Sequence, residues 1–262
     1  MASALIITDL EGVSNVSNMQ MVIDETSNGY KLATERLMKE TNVAVSALFD
    51  SGADKVYVVD GHASGKNFIK GMLDSRAVQL PTWELTPYMN EIDAFVMIGT
   101  HAMAKTENAF FDHTQLWEAI KGWYYNGIKV GETAQMGVYA GVYNVPCVAA
   151  SGDKAACEEA KSFYNGLETA VVKIANSRDS ATCFSEEEAL NSIYNAVSKG
   201  YKKRGQIKPI KMELPLTITI EYVSEEDCKY DCRNVKNAKF LNEYTVQVVK
   251  EKIVDYLDIM IY

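Results

Sequence analysis

The 262-residue chain has only three histidines, His62, His101 and His113. Any histidine-dependent chemistry must draw on these three. Cysteine is sparse too: five residues, an odd number, with no CxxC spacing. That excludes a disulfide framework and reads as reduced thiols. Cys228 and Cys232 stand four apart and could share a helix face, but two thiols do not make a structural zinc site. Basic residues are outnumbered, and the formal net charge is −9. Nucleic acid and anionic membrane surfaces both need a basic footprint, so neither is an expected partner. No apolar run approaches the roughly 20 residues that span a bilayer. Met1-Ala2-Ser3-Ala4 shows no basic region followed by an apolar core, so no secretory signal is expected. A soluble, cytoplasmic protein is the expectation.

What is present is organised around Ile6-Ile7-Thr8-Asp9-Leu10-Glu11-Gly12. A short apolar run, Ala4 to Ile7, reads as a buried strand. It ends in two carboxylates at i and i+2, which project to one side of an extended chain. Such a pair repels itself unless a cation sits between them, and a divalent metal fits that role.

The pattern then repeats. Tyr30 to Asp50 reads as a helix stopped by Gly52. Lys55–Val59 is a buried strand followed by Asp60-Gly61-His62. A short helix is expected around Asn67–Asp74, with loops near Pro81 and Pro87. Ala94–Ile98 is a third buried strand, followed by Gly99-Thr100-His101. Residues 102–126 are a polar and aromatic excursion carrying Asp112-His113-Thr114, Trp117 and Trp123. Glu132 opens a helix running to about Tyr143. Val145–Ala150 is another strand, and Ser151-Gly152-Asp153 caps a helix over Lys154–Tyr164.

After about residue 180 the character changes. Ser185 with Glu188 forms a capping box for a helix to about Lys203. Leu216–Tyr222 alternates strictly and predicts a half-buried strand. Glu243–Val249 reads as a further strand, and Lys250–Ile261 as a terminal helix. The predicted fold is α/β: three α/β/α layers on a mainly parallel sheet, with a smaller α+β subdomain. The expected division is a metal-binding α/β domain over 1–180 and a closely packed subdomain over 181–262.

In open α/β sheets ligands bind beyond the carboxyl ends of the strands. Asp9, Glu11, His62 and His101 all fall at such ends. If Asp9 bridges two metals, the ligand count balances. One metal takes Asp9, Glu11 and His62; the other takes Asp9, His101 and Glu132. Two divalent cations among three carboxylates would lower the pKa of a bound water. Taken singly, each motif is also what an ordinary turn uses. Asp60 reads equally as a partner for His62 or as a turn acid, and His113 on its own reads as a solvated loop histidine. Trp117 and Trp123 read as core or interface residues. A dinuclear phosphoesterase and a non-enzymatic peptide-binding or assembly protein are the alternative functions.

Thr8-Asp9-Leu10-Glu11-Gly12, Asp60-Gly61-His62, Gly99-Thr100-His101-Ala102, Asp112-His113-Thr114 and Val130-Gly131-Glu132 together resemble, in that order, the zinc-dependent D-aminopeptidase family. Its type member belongs to a bacterial dipeptide-transport operon. Ser151-Gly152-Asp153 and Ser177-Arg178 also look like that family. The resemblance implies a hydrolase that removes the N-terminal residue of short peptides, with D-alanine-like preference. It implies two zinc ions per chain, with Asp9 bridging, Glu11 and His62 on one ion, and His101 and Glu132 on the other. It implies that His113 is a catalytic histidine and not a ligand. It also implies a homo-oligomer, a decamer of two five-membered rings. One departure stands out. Thr133-Ala134-Gln135 follows Glu132 where the family type has a small residue and an asparagine, so stereochemical preference is less secure than the metal site.

Overall fold

The apolar run before Asp9 forms β1, Ser3–Thr8, and all six of its residues are buried. A strand buried on both faces needs a partner on each edge and cover on each side. The computed structural model describes residues 2–82 and 84–261 and supplies both. After β1 come α1 (Gln20–Ile23), the long α2 (Asn28–Asp50), β2 (Lys55–Asp60), β3 (Val78–Gln79) and β4 (Ala94–Thr100). The middle of the chain holds β5 (Ile120–Tyr125), β6 (Ile128–Lys129), α3 (Glu132–Val142), β7 (Cys147–Asp153) and α4 (Lys154–Phe163). Then follow β8 (Glu168–Ser177), β9 (Ser180–Cys183), α5 (Glu186–Lys202), β10 (Leu216–Tyr222), α6 (Glu225–Cys232), β11 (Lys239–Asn242) and β12 (Thr245–Lys250).

Seven strands make one sheet in the order β3-β2-β1-β4-β7-β8-β9, parallel except for the terminal β8–β9 hairpin. Five make a second, antiparallel sheet, β11-β12-β10-β5-β6. Side chains of β1 alternate between two cores. Ala4 and Ile6 join Leu48 of α2 and Ile193 and Val197 of α5. Leu5 and Ile7 join Tyr139 of α3 and Trp123, Ile218 and Val246 of the second sheet. The architecture is therefore α/β with a mainly parallel sheet covered on both faces, plus the smaller antiparallel sheet. The β8–β9 hairpin spans residue 180 and α5 packs on the large sheet, while β5 and β6 lie in the small one. Among the described residues no helix is long and apolar enough to cross a membrane.

Helix ends follow local chemistry. Ser27 accepts from Tyr30 N–H and starts α2 slightly ahead of Tyr30. Ser185 and Glu188 form the expected capping box, and Asp153 caps α4 through Ala156 N–H.

Two expected helices do not form. Over 67–74, Gly71 stands at φ +82°, outside helical backbone. Asp74 N–H, which a helix would direct to its own chain four residues back, goes to Asn42 Oδ1. At the C-terminus only a 3₁₀ turn, Tyr256–Ile259, is formed, capped by Asp255. Ile259, Met260 and Ile261 are all buried. Met260 is extended (φ −99°, ψ 172°) and the Ile259 carbonyl accepts from the Tyr125 hydroxyl (2.6 Å), so the tail threads into the core instead.

Candidate metal centre

In the large sheet β1 lies between β2 and β4. Thr8 is level with Asp60 on one side and with Ile98 on the other. β1 and β2 thus stop at the same height, and β4 runs two residues further, to Thr100. The residues that follow them, Asp9, His62 and His101, converge at one edge, with Asp9 in the middle.

The turn after β1 is fixed by contacts that tolerate no side chain. Asp9 N–H donates to Ile98 carbonyl (2.8 Å) and Gly12 N–H to Gly99 carbonyl (2.7 Å). A Cβ on Gly12 would lie 2.0 Å from the Thr100 carbonyl oxygen. Gly99 has φ +77°, and a Cβ there would lie 2.2 Å from the Asp9 carbonyl oxygen. The two loops interlock through backbone that only glycine allows.

Asp9 faces both ways. Its Oδ1 is 3.0 Å from His62 Nδ1, and its Oδ2 is 3.3 Å from His101 Nε2. Glu11 Oε2 is also 3.0 Å from His62 Nδ1. On the other side Glu132 Oε1 is 3.5 Å from His101 Nε2. Glu132 is the first residue of α3, where a helix N-terminus favours negative charge. Gln115 N–H donates to Glu132 Oε1 (2.7 Å) and holds it in position.

His113 is buried, contrary to its solvated reading from the sequence. Its ring stacks on His101 with centroids 3.8 Å apart and planes 6° from parallel. Nδ1–H donates to the Phe111 carbonyl (2.8 Å), so Nε2 faces the centre, 3.9 Å from Glu11 and 4.0 Å from Glu132. The loop behind it is tied by Arg178, whose Nε donates to Asp112 Oδ1 (3.0 Å) and whose carbonyl accepts from Phe111 N–H (2.7 Å). That gives the Ser177-Arg178 motif a physical role. Asp60 does not touch His62 through its carboxylate. It accepts from Asn67 and Phe68 N–H and from Asn67 Nδ2, which also donates to the His62 carbonyl, so it orders the turn that carries His62.

Charge is balanced within the cluster. Burial acts to lower the pKa of His62, but Glu11 and Asp9 outweigh it and hold the imidazole well above its usual value. For His101 burial is likewise outweighed, by Glu132 first. Burial would raise Glu132, yet the His101 charge holds it down to about 2. Glu11 sits well below the usual carboxylate range because His62 overcomes its burial. Asp9 goes the other way: burial, then the Glu11 charge, push it up to about 7. His113 is pushed down, by burial and then by the charge of His101.

The donors suit zinc. Two atoms bound to one tetrahedral zinc at about 2.0–2.1 Å lie roughly 3.3 Å apart. The His–carboxylate separations of 3.0 to 3.5 Å match that spacing. His62 Nδ1 has one proton for two carboxylate oxygens, and Glu11 Oε2 is left buried without a well-formed hydrogen bond. A metal would satisfy both oxygens at once. His101 donates Nδ1–H to the Ala102 carbonyl (3.0 Å), so Nε2 is the nitrogen that becomes bare, as a ligand requires, once the ring gives up its proton. Ligand-type atoms fall into two groups, Asp9–Glu11–His62 and His101–His113–Glu132, each within 4.8 Å.

The centre opens into a cleft lined by Gln115, Leu116, Trp117, Tyr256, Leu257 and Met260. Trp123 is core, as expected, but Trp117 lines this cleft. Sequence reasoning missed Gln115 and Tyr256, since neither carries a metal-type side chain nor sits at a strand end.

Residues 3–261 match the peptidase family described as D-aminopeptidase. A curated relative, the D-aminopeptidase of Bacillus subtilis (strain 168), is 24% identical over 222 residues, covering 82% of this chain and 80% of its own length. Among solved structures, the Zn-dependent D-aminopeptidase DppA from Bacillus subtilis, described as a self-compartmentalizing protease, superposes with a TM-score of 0.91. It is 21% identical, and the match covers 98% of this chain and 95% of that one, so the two share a fold.

Proposed function

This chain belongs to the D-aminopeptidase family of peptidases, and from that premise we propose that it is a two-zinc aminopeptidase that releases D-alanine-like residues from the N-terminus of short peptides. The observation that carries the dinuclear reading is Asp9, whose two oxygens face two separate histidine–carboxylate groups. Glu11 and His62 would complete one zinc, and His101 and Glu132 the other. His113 stays free, because its Nε2 stands 3.9 to 4.0 Å from the carboxylates, beyond the spacing of co-ligands. The relative's description as Zn-dependent supports the choice of metal.

Bound zinc would supply an acidified water and polarise the scissile carbonyl. The chain's own residues do the rest. His113 keeps Nδ1–H on the Phe111 carbonyl, so its neutral form offers a bare Nε2 to the cleft. It can accept a proton from the attacking water and return it to the departing amine. Burial pushes this imidazole below its usual value and so favours the neutral form. A recess lined by Ile7, Met97, Met136 and Tyr256 opens beside Asp9, His101 and Glu132 and suits a small apolar side chain.

Metal content beside hydrolysis of D-alanine and L-alanine p-nitroanilides tests this reading. About two zinc per chain, with cleavage of the D substrate, is the expected result. Cleavage of the L substrate alone would overturn the stereochemical reading. Activity on phosphoesters with none on amides would move the centre to the phosphoesterase class, although no lysine or arginine lines the cleft among the described residues.

Zinc uptake should also release protons. His62 and His101 are protonated at neutral pH in the metal-free cluster and must lose those protons to bind. Loading both sites should expel more than two protons at pH 7, one from each imidazole and a further fraction from Asp9, whose carboxyl is pushed up to about 7, and affinity should rise with pH until these groups are deprotonated without metal. Titration calorimetry in buffers of different ionisation enthalpy measures the number directly; zero proton release would contradict the ligand set.

By analogy with the relative described as self-compartmentalizing, the protein is proposed to be a cytoplasmic homo-oligomer, a decamer of two five-membered rings. Sedimentation at the mass of ten chains is expected; a monomer would refute it.

A further inference from the structure

β8 carries a lysine at a position with no access to water. Lys173 is 0% exposed. An ammonium offers three donors and no acceptor. All three are used, on the backbone carbonyls of Glu11, Val13 (3.1 Å) and Val16 (2.9 Å). These carbonyls belong to the two successive turns that follow Asp9, Leu10–Val13 and Val13–Val16. They point inward together because the chain reverses there, with Val13 N–H on the Leu10 carbonyl (3.2 Å) and Val16 N–H on the Val13 carbonyl (3.0 Å). Three converging carbonyls repel one another, and a cation among them offsets that repulsion. Val13 also accepts from Val16 N–H (3.0 Å) and Val16 from Cys183 Sγ (3.6 Å), so the ammonium matters most to the Glu11 carbonyl.

Other groups close the site around the ammonium. The Phe110 ring covers it at 4.2 Å. From α2, Glu40 Oε1 accepts from Ser14 N–H (2.8 Å) and Arg36 Nη1 donates to Ser14 Oγ (3.1 Å), so the second turn is held from its far side. An apolar side chain would fill this space without the cost of burying a charge. What it could not do is bind the carbonyls. Glu11 takes part in both systems: its carbonyl binds Lys173, and its carboxylate lies 3.0 Å from His62.

We infer that Lys173 is a positioning residue for the metal centre, a resident cation that holds the Glu11–Val16 turns and thereby sets the Glu11 carboxylate. The inference rests on the two-zinc reading for its metal readout. It also predicts local order in the metal-free chain, which does not depend on that reading.

The test is Lys173→Met, which keeps side-chain length and removes the donors. Zinc binding is followed by competition with a chromophoric chelator, in wild type and variant. Affinity should fall roughly tenfold to a hundredfold at one of the two sites, the range for partners that orient a ligand. The site built on His101 and Glu132 should change far less. In the metal-free proteins, deuterium exchange over residues 9–16 should be at least roughly tenfold faster in the variant, as expected when local opening no longer breaks those bonds. If Lys173→Met does not fold, the double variant Lys173→Met/Glu40→Gln also removes one of the buried carboxylates that face the lysine and keeps an acceptor for Ser14; the same two readouts apply. Unchanged zinc affinities and unchanged exchange would overturn the inference. So would equal weakening of both sites together with faster exchange throughout the chain, since that is general destabilisation. A wild-type chain that binds fewer than two zinc ions would instead overturn the dinuclear reading, and the exchange comparison would still decide the role of Lys173.

Discussion

Asp9→Ala should empty both metal sites and take hydrolysis to the assay background. Every other proposed ligand faces one side of the centre; Asp9 alone has an oxygen on each, at 3.0 Å from His62 and 3.3 Å from His101. Losing it leaves each ion two protein ligands, fewer than the three that catalytic zinc sites use. Charge stabilisation by a metal is worth several kcal/mol in the transition state, which is roughly 10³–10⁴-fold in rate. The fold should survive. The β1 turn is held by the Asp9 and Gly12 backbone amides on Ile98 and Gly99, and alanine keeps those bonds. Metal analysis of the purified variant is the decisive measurement, beside Glu132→Ala, which should lose one ion only. Two zinc ions retained in Asp9→Ala would make the bridging assignment wrong.

His113→Ala should do something different: leave both ions bound and still cripple turnover. A positioned acid–base group contributes typically about 10²–10⁴-fold, and that is the expected loss in kcat. The residue also stacks on His101 at 3.8 Å. Alanine leaves a gap there, so His113→Gln is the better control because it fills the space and cannot carry a proton. Both variants should bind about two zinc per chain. Loss of one ion on removing His113 would make it a ligand, as its grouping with His101 and Glu132 within 4.8 Å allows. A kcat within about threefold of wild type, far short of that range, would leave it without a catalytic role.

Much of the centre was legible because its parts are local. Strand, turn and metal-type residue occur together within a few positions at Asp9, His62 and His101, and each strand formed where its apolar run lies. Glu132 was legible only through the motif around it, since a glutamate opening a helix is commonplace. His113 misled when read alone. Its loop is polar, yet Arg178, 66 residues from Asp112 in the chain, pulls it inward. The C-terminal tail misled for a related reason. Ile253, Tyr256 and Ile259 recur at helical spacing, but the Val254 and Ile259 carbonyls accept from the hydroxyls of Tyr143 and Tyr125, so distant parts of the chain dictate the conformation.

The sequence by itself determined the residue types of the centre, the strands that carry them and the α/β class. Apolar runs and turn chemistry act over distances of a few residues, and so they leave a readable trace. Only the tertiary structure gives the physical reason that Asp9, the carboxylate to which ligand count and motif resemblance gave the bridging place, stands between the two halves. That follows from β1 lying between β2 and β4, a strand order set by packing between segments 50 to 90 residues apart. It also decided that a strand lysine far along the chain would bind the carbonyls of the turns after β1. A lone lysine in a strand gives no sign of this, because its carbonyl partners acquire a common direction only when the chain folds.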